Sequence, residues 1–275
     1  MWPIIAIAAI VLFVVSIPVT SVLTKNRITK LDSRVNVMNL VAGSGYAREG
    51  YPVRALFSIP FVGLNDEGLP TFINEDGEVT VTDINFQEIE KTDFLKYEGP
   101  TDPTITGGFG NLFSWKGFTL NVFITYSFGN VVRLDPVFSS VYDDVTALPR
   151  DFRNRWTQPG DELKTNIPVI ASTRQVKKYG SYDLKTAYHA YNYSTERVAK
   201  GDFIRMKEIS LSYDIPKKYL ENVKLNSFGC KIQVTNPFLI YADKKLNGQD
   251  PEFFNSGGVA TPMAKQFTLT IRAGF

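Results

Sequence analysis

The sequence predicts an all-β protein, and three features of the chain carry that prediction. Apolar and polar residues alternate with a period of two over several stretches of about ten residues, as in strands that have one apolar and one polar face. Long polar stretches separate these strands, and helical periodicity is scarce. The 275 residues leave room for about eight strands of this length together with their connections.

Four stretches show the alternation most clearly. Residues 118–128 place six apolar residues on one face and four polar residues on the other, with Phe123 as the exception. Residues 203–215, 228–235 and 266–275 repeat the pattern. The second and third stretches follow each other closely, which predicts a hairpin. Eleven residues is close to the length that a tilted strand needs to cross a membrane.

The arrangement of strands and connections favours a membrane barrel over a soluble sheet. A strand that runs to the last residue, Phe275, would leave a bare edge in a soluble sheet, whereas a closed barrel has no edge. Two polar stretches, residues 129–200 and 236–265, fit long extracellular loops. We expect Pro237 to close the strand that precedes the second stretch. We therefore expect an antiparallel transmembrane β-barrel. A soluble, aromatic-rich β protein is the alternative.

Composition and motifs argue against catalysis and against several partners. The mean hydropathy of −0.09 is too polar for a helical membrane bundle, and the net charge of +2 gives no reason to expect nucleic acid. The single Cys230 excludes an internal disulfide, and the single His189 cannot build a His-rich metal site. Sequence motifs for hydrolases, phosphate loops and zinc proteases are missing. We expect no enzyme, no cofactor, no metal and no catalytic residue.

The segment 1–24 differs from the remainder because it has no charged side chain and is continuously apolar over residues 4–15. Three interpretations stay open: an anchor helix, an atypical signal, or an altered strand. The basic residues Lys25, Arg27 and Lys30 follow it, which suits an anchor.

Short motifs over roughly residues 25–275 resemble the C-terminal barrel portion of the SusC/RagA family, TonB-dependent outer-membrane transporters of Bacteroidetes. Each piece is weak alone, but they occur in the family's order. They are Thr106–Asn111, Phe113–Lys116, Thr125–Asn130, Arg155–Asp161, Gly201–Pro216, Gln233–Phe238, Gly248–Glu252 and the last strand.

The resemblance implies uptake of a large nutrient, an oligosaccharide or a peptide, across the cell outer membrane. The family works with a SusD-like surface lipoprotein and is driven by TonB through an N-terminal plug that precedes a barrel of 22 strands. This sequence has no room for a plug, so TonB would act only through an N-terminal part absent from it. We expect a C-terminal fragment that neither transports nor seals a pore alone. The alternative is a non-transporting, membrane-anchored or surface β protein that binds a glycan or a protein partner.

Four aromatic residues are candidates for particular roles. Trp156, Tyr182 and Tyr191 lie in a polar stretch and could stack on a ligand. For Trp156 the competing interpretation is a loop held together by a buried ring, and for the tyrosines it is solvated loop aromatics. Phe275 resembles the terminal aromatic residue that the barrel-assembly machinery reads in this family.

Overall fold

The computed structural model describes residues 14–16, 19–43, 47–143, 148, 150–221, 225–254 and 264–275. Within these ranges it contains fourteen strands and three α-helices. The strands are β1 (Val14–Ser16), β2 (Val19–Leu23), β3 (Ala55–Ser58), β4 (Phe61–Leu64), β5 (Pro70–Ile73), β6 (Val79–Thr80), β7 (Lys96–Pro100), β8 (Ile105–Trp115), β9 (Phe118–Phe128), β10 (Val131–Arg133), β11 (Val198–Lys200), β12 (Phe203–Asp214), β13 (Ser227–Ala242) and β14 (Gln266–Gly274). The helices are α1 (Val37–Ala42), α2 (Thr173–Tyr179) and α3 (Ser181–Asn192).

One large antiparallel sheet, which we call the wall, contains β1, β2, β8, β9, β12, β13 and β14. Its order is β1–β8–β9–β12–β13–β14, and β2 pairs with β8 beyond the end of β1. The strands of the long pairs run side by side over nine to eleven register partners. Such long strands in sequential order are the arrangement expected for a barrel wall.

A tight turn joins β8 to β9. Lys116 (φ 46°) and Gly117 (φ 87°) both have left-handed backbone conformations, as a two-residue hairpin turn of the primed type requires. A Cβ atom on Gly117 would lie 2.7 Å from the carbonyl oxygen of Asp214. The connection from β12 to β13, at the same end of the wall, is also short.

The long connections lie at the opposite end of the wall and fold into one body. Residues 24–104 and 129–202, which we call the loop unit, contain three small antiparallel sheets and all three helices. A shared core joins the two segments. It contains Val37, Leu40, Val41, Phe57, Ile59, Leu69 and Phe72 from the first, and Phe138, Phe152, Leu184, Tyr188, Ala190 and Tyr191 from the second.

The helix α3 forms for local reasons that the sequence contains. Leu184, Ala187, Tyr188 and Tyr191 recur at three- and four-residue spacing and are all buried, so they form one helical face. The preceding helix α2 begins at a capping box, in which Ser172 and Gln175 exchange side-chain to backbone hydrogen bonds. Gly180 (φ 91°) separates the two helices.

The structure refines one expectation about the connections and corrects another. The predicted long connection 129–200 is folded, because its apolar residues build much of the core of the loop unit. The strand at 228–235 continues to Ala242, so Pro237 does not close it. Instead, Asn236 (φ 52°) and Pro237 lie at a register shift in which they oppose the single residue Lys207. A bulge of this kind tolerates proline inside a strand.

The described part of the apolar segment is extended. Residues 14–16 and 19–23 pair with β8 as strands, and residues 1–13 and 17–18 lie outside the described residues. The three interpretations of the segment 1–24 stay predictions. The division of the chain at residue 24 stays a prediction. None of the helices in the described part of the chain has the length and apolarity needed to cross a membrane.

Candidate functional site

The wall has two faces of opposite character. Its apolar side chains stack in rows that run across the strands, and the register places three such rows side by side. They are Trp115–Phe118–Tyr213–Cys230–Ile271, Phe113–Leu120–Leu211–Ile232–Leu269 and Val122–Ile209–Val234–Phe267. Nothing in the described structure covers this face: Ile232 is 56% exposed and Leu269 66%. An exposed apolar face of this kind is typical of a surface that contacts an apolar solvent.

The opposite face of the wall carries hydroxyl, amide and charged side chains. Asn121 Nδ2 donates to Glu208 Oε1 at 3.1 Å, and Lys231 Nζ lies 3.7 Å from the same oxygen. Ser114 and Thr119 share a hydrogen bond of 3.2 Å. Phe123, the exception in the alternation, also lies on this face, where its ring packs over Gly108 and a Cβ atom would approach to 2.9 Å. This face suits contact with water and polar solutes.

A buried ion pair fastens the connection between β13 and β14 to the polar face. Arg205 Nη2 lies 2.5 Å from Asp250 Oδ1, and Arg205 Nε lies 3.1 Å from Glu252 Oε2. The side chains of Arg205 and Asp250 are almost completely buried. Because removal of one partner would leave an uncompensated buried charge, this pair holds the connection firmly in place.

Beside this pair lies a cleft of about 580 Å³ between the polar face of the wall and the loop unit. Its charged residues are of both signs, with Arg54 paired to Asp102 at 2.8 Å. Hydroxyl and amide groups from Thr125, Ser127 and Asn130 also line it. The cleft can offer hydrogen bonds to a polar molecule but has no strong preference for one charge.

A second cleft, of about 670 Å³, lies on the loop unit beside α3. We call it the aromatic cleft because the rings of Phe86, Tyr182, His189 and Tyr193 are among the groups that line it. His189 packs between Phe86 (4.9 Å between ring centroids) and Tyr193 (5.0 Å). Partial burial and the neighbouring Lys185 lower the pKa of His189 below its usual value. Rings at such a cleft can stack on sugars or on apolar side chains.

The structure separates the three candidate aromatic residues. Tyr182 lines the aromatic cleft and is 80% exposed, whereas Tyr191 is 1% exposed and lies in the core of the loop unit. Trp156 is buried over Gly68, and its Nε1 donates to Glu162 Oε2 at 2.9 Å. That hydrogen bond is the main reason why the pKa of Glu162 is lowered. Trp156 and Tyr191 are therefore packed within the protein and Tyr182 is exposed, and contact of any of the three with a ligand stays a prediction.

The remaining candidate, Phe275, is 91% exposed beside the end of β14. Among the described residues, three arginines are buried, Arg133, Arg197 and Arg205, and none of them is a predicted site residue. Arg133 donates to the carbonyl oxygens of Phe57 (2.5 Å) and Ser194 (2.9 Å) and so joins the two segments of the loop unit. Burial lowers the pKa of Arg133 to about 10, so it stays charged at neutral pH. A buried arginine has no distinctive sequence signal.

Among the described residues, no cluster of three or more His, Cys, Asp or Glu side chains could hold a metal ion.

Comparison with known proteins places this geometry in context. No family model matches the chain. It is 25% identical to TonB-dependent receptor P39 of Formosa agariphila over 162 residues, which are 57% of this chain and 14% of that protein. It is 24% identical to TonB-dependent receptor P3 of the same organism over 190 residues, which are 69% of this chain and 16% of that protein. The chain thus spans only about a seventh of the length of the curated relatives it matches.

The fold matches part of a solved transporter. A chain in the structure of the RagAB peptide transporter superposes with a TM-score of 0.66 at 20% sequence identity, covering 95% of this chain and 27% of that one. The sequence and structure comparisons together confirm both the resemblance and the predicted fold class, an antiparallel barrel portion.

Proposed function

We propose that this chain, a SusC/RagA-type TonB-dependent receptor segment, forms the C-terminal part of an outer-membrane barrel that imports oligosaccharides or peptides. The observation that carries the proposal is the two-faced wall. Its apolar rows face lipid, and its polar network lines the lumen through which the nutrient passes. The loop unit then lies at the extracellular mouth, where a SusD-like lipoprotein covers it. The barrel-assembly machinery inserts the wall and reads Phe275.

The described residues supply the wall and the mouth. The family's plug, through which TonB acts, has no counterpart in the described fold, and the chain corresponds to about a quarter of the matched RagAB chain. Transport is therefore proposed for the complete receptor. The two clefts offer this receptor polar and aromatic contacts, and Tyr182 is the candidate aromatic that a nutrient can reach.

Nitroxide labels on adjacent residues of β13 test the placement of the wall. In a Cys230→Ser background, Ile232→Cys puts the label on the apolar face and Gln233→Cys puts it on the polar face. With the chain in phosphatidylcholine vesicles, we expect dissolved oxygen to relax the label at 232 more strongly and a water-soluble nickel chelate to relax the label at 233. Shielding of position 232 from both reagents would indicate a soluble sandwich and overturn the proposal.

A separate measurement tests the cargo. Cells that produce the complete receptor are compared with cells that lack its gene for uptake of fluorescent oligosaccharides and of fluorescent peptides. We expect loss of uptake for one of the two classes. If neither class is affected, import of these nutrients is refuted even when the wall lies in lipid.

A further inference from the structure

A groove of about 680 Å³ lies where the wall meets the loop unit. Its floor is apolar, with Leu23 and Ile105 from the wall and Pro52, Tyr97 and Pro100 from the loop unit. Leu23, Ile105 and Phe128 are register partners and form the last row of the apolar face at this end. Leu23 is 78% exposed. The groove is therefore continuous with the surface proposed to contact lipid.

An ordered segment, residues 24–28, borders the groove and presents two cations to it. Thr24 N donates to Thr104 O, and Ile28 N donates to Tyr51 O, both at 2.9 Å. Between them, Asn26 Oδ1 accepts from Val53 N at 2.9 Å. Thr24, Asn26 and Ile28 are thus each hydrogen-bonded to the rest of the protein. The residues between them, Lys25 and Arg27, both line the groove.

The charges of Lys25 and Arg27 are not neutralised within the protein. Both residues are exposed, and no carboxylate among the described residues forms an ion pair with either. Some other surface cations of the loop unit are paired, for example Arg54 with Asp102 and Lys178 with Glu67. Two unpaired cations on a fixed backbone beside an apolar groove match a ligand that joins an anionic group to a hydrocarbon chain.

We propose that this groove binds a phosphate-bearing membrane lipid, with the phosphate on Lys25 and Arg27 and an acyl chain across Leu23 and Ile105. Tyr97 also lines the groove, and a phenol ring suits the interface between headgroup and hydrocarbon. The inference rests on the proposed function, because the groove meets lipid only if the apolar face of the wall does. A free phosphate ion would use the two cations but not the apolar floor.

Spin-labelled lipids test the proposal. The full chain is reconstituted in phosphatidylcholine vesicles that contain either nitroxide-labelled phosphatidylglycerol or nitroxide-labelled phosphatidylcholine, and the motionally restricted fraction of each is measured. The variant Lys25→Gln/Arg27→Gln removes the two cations. The variant Arg174→Gln/Lys177→Gln, on exposed positions of α2, makes the same change in residue types and net charge away from the wall.

Each surface cation near an anionic membrane contributes about 1 kcal/mol, a factor of about five, so we expect the preference for phosphatidylglycerol to fall by up to about 30-fold in the first variant. The α2 variant keeps it. An unchanged preference in the Lys25/Arg27 variant would overturn the proposal, as would complete competition by 10 mM inorganic phosphate, which would indicate a free-ion site. If neither lipid shows a motionally restricted fraction, the proposal that the apolar face of the wall contacts lipid is refuted instead.

Discussion

The wall and the loop unit place their apolar residues in opposite ways. In the loop unit, Leu184 and Ala187 are completely buried and Tyr188 is 1% exposed. In the wall, Phe267 is 76% exposed and Ile271 is 63% exposed, although both lie within a regular strand. One region thus completes its own core, whereas the other leaves its largest apolar side chains for its surroundings to cover.

This difference shows that the two regions draw stability from different sources. Burial of apolar surface stabilises the loop unit in water by about 25 cal/mol for each Å². The same term cannot stabilise the apolar face of the wall while water contacts it. If lipid covers that face, as proposed, the wall depends on backbone pairing and on the membrane. Substitutions should therefore affect the loop unit according to burial and the wall according to the face they occupy.

The largest expected effect is on the core of the loop unit. Tyr191 packs edge-on against Phe61 and Phe138, with ring centroids 5.6 Å and 5.1 Å apart. Replacement of a buried aromatic side chain by alanine leaves a cavity, so we expect Tyr191→Ala to lower the free energy of unfolding of the loop unit by about 3–5 kcal/mol. Hydrogen exchange of α3, followed by mass spectrometry over a urea series, measures the change.

Tyr182→Ala is the matched control because Tyr182 lies on the same helix and is exposed. We expect it to change the same free energy by about 0.5 kcal/mol or less. A Tyr182→Ala effect as large as that of Tyr191→Ala would contradict the division of α3 into a buried and an exposed face.

A smaller loss of stability is expected for the wall, where the size of the loss depends on the face that the substituted residue occupies. Leu269 belongs to the middle apolar row, and its neighbour Thr268 points to the polar face. We expect Leu269→Arg to reduce the stability of the wall in lipid vesicles by about 2–4 kcal/mol and Thr268→Arg by at most about 1 kcal/mol. Urea unfolding in vesicles, followed by tryptophan fluorescence, gives both values. Equal losses would show that the two faces meet the same solvent.

The wall was predictable because its long strands have one apolar and one polar face. The predicted stretch 118–128 coincides with β9, and 203–215 differs from β12 by one residue. Alternation of apolar and polar residues is direct evidence of a two-faced strand, and it is lost where the pairing is irregular. The bulge at Asn236 and Pro237 breaks the two-residue period, so the sequence predicts a loop where the second half of β13 lies.

The loop unit was not predictable because its order comes from contacts between distant segments. The core residues of α1 and β3 are separated from those of α3 by more than a hundred positions. Arg133 joins the two segments through backbone carbonyl oxygens that any residue provides. The candidate aromatics show the same limit. Trp156, Tyr182 and Tyr191 have similar polar surroundings in the sequence, and only their packing distinguishes two structural rings from an exposed one.

The smallest expected effect concerns His189, which lies at the boundary between the core of the loop unit and the aromatic cleft. Partial burial and Lys185 lower its pKa in the folded protein, so folding disfavours the protonated imidazole. The stability of the loop unit is then complete above the unfolded pKa of about 6.5 and declines as the pH falls through the lowered folded pKa. Because the ring is partly exposed, the loss should be smaller than in either preceding prediction.

Urea midpoints of the loop unit at pH 7.5 and pH 5.0 measure this loss. His189→Gln removes the titrating group, so we expect the midpoint to fall less between the two pH values in this variant than in the unmodified chain. The carboxylates are common to both proteins and cancel in the comparison. Equal falls would mean that protonation of His189 costs nothing in the folded state and that the cleft is open to water around the ring. In that case the rings of Phe86 and Tyr193 would belong to the solvated surface and not to the core.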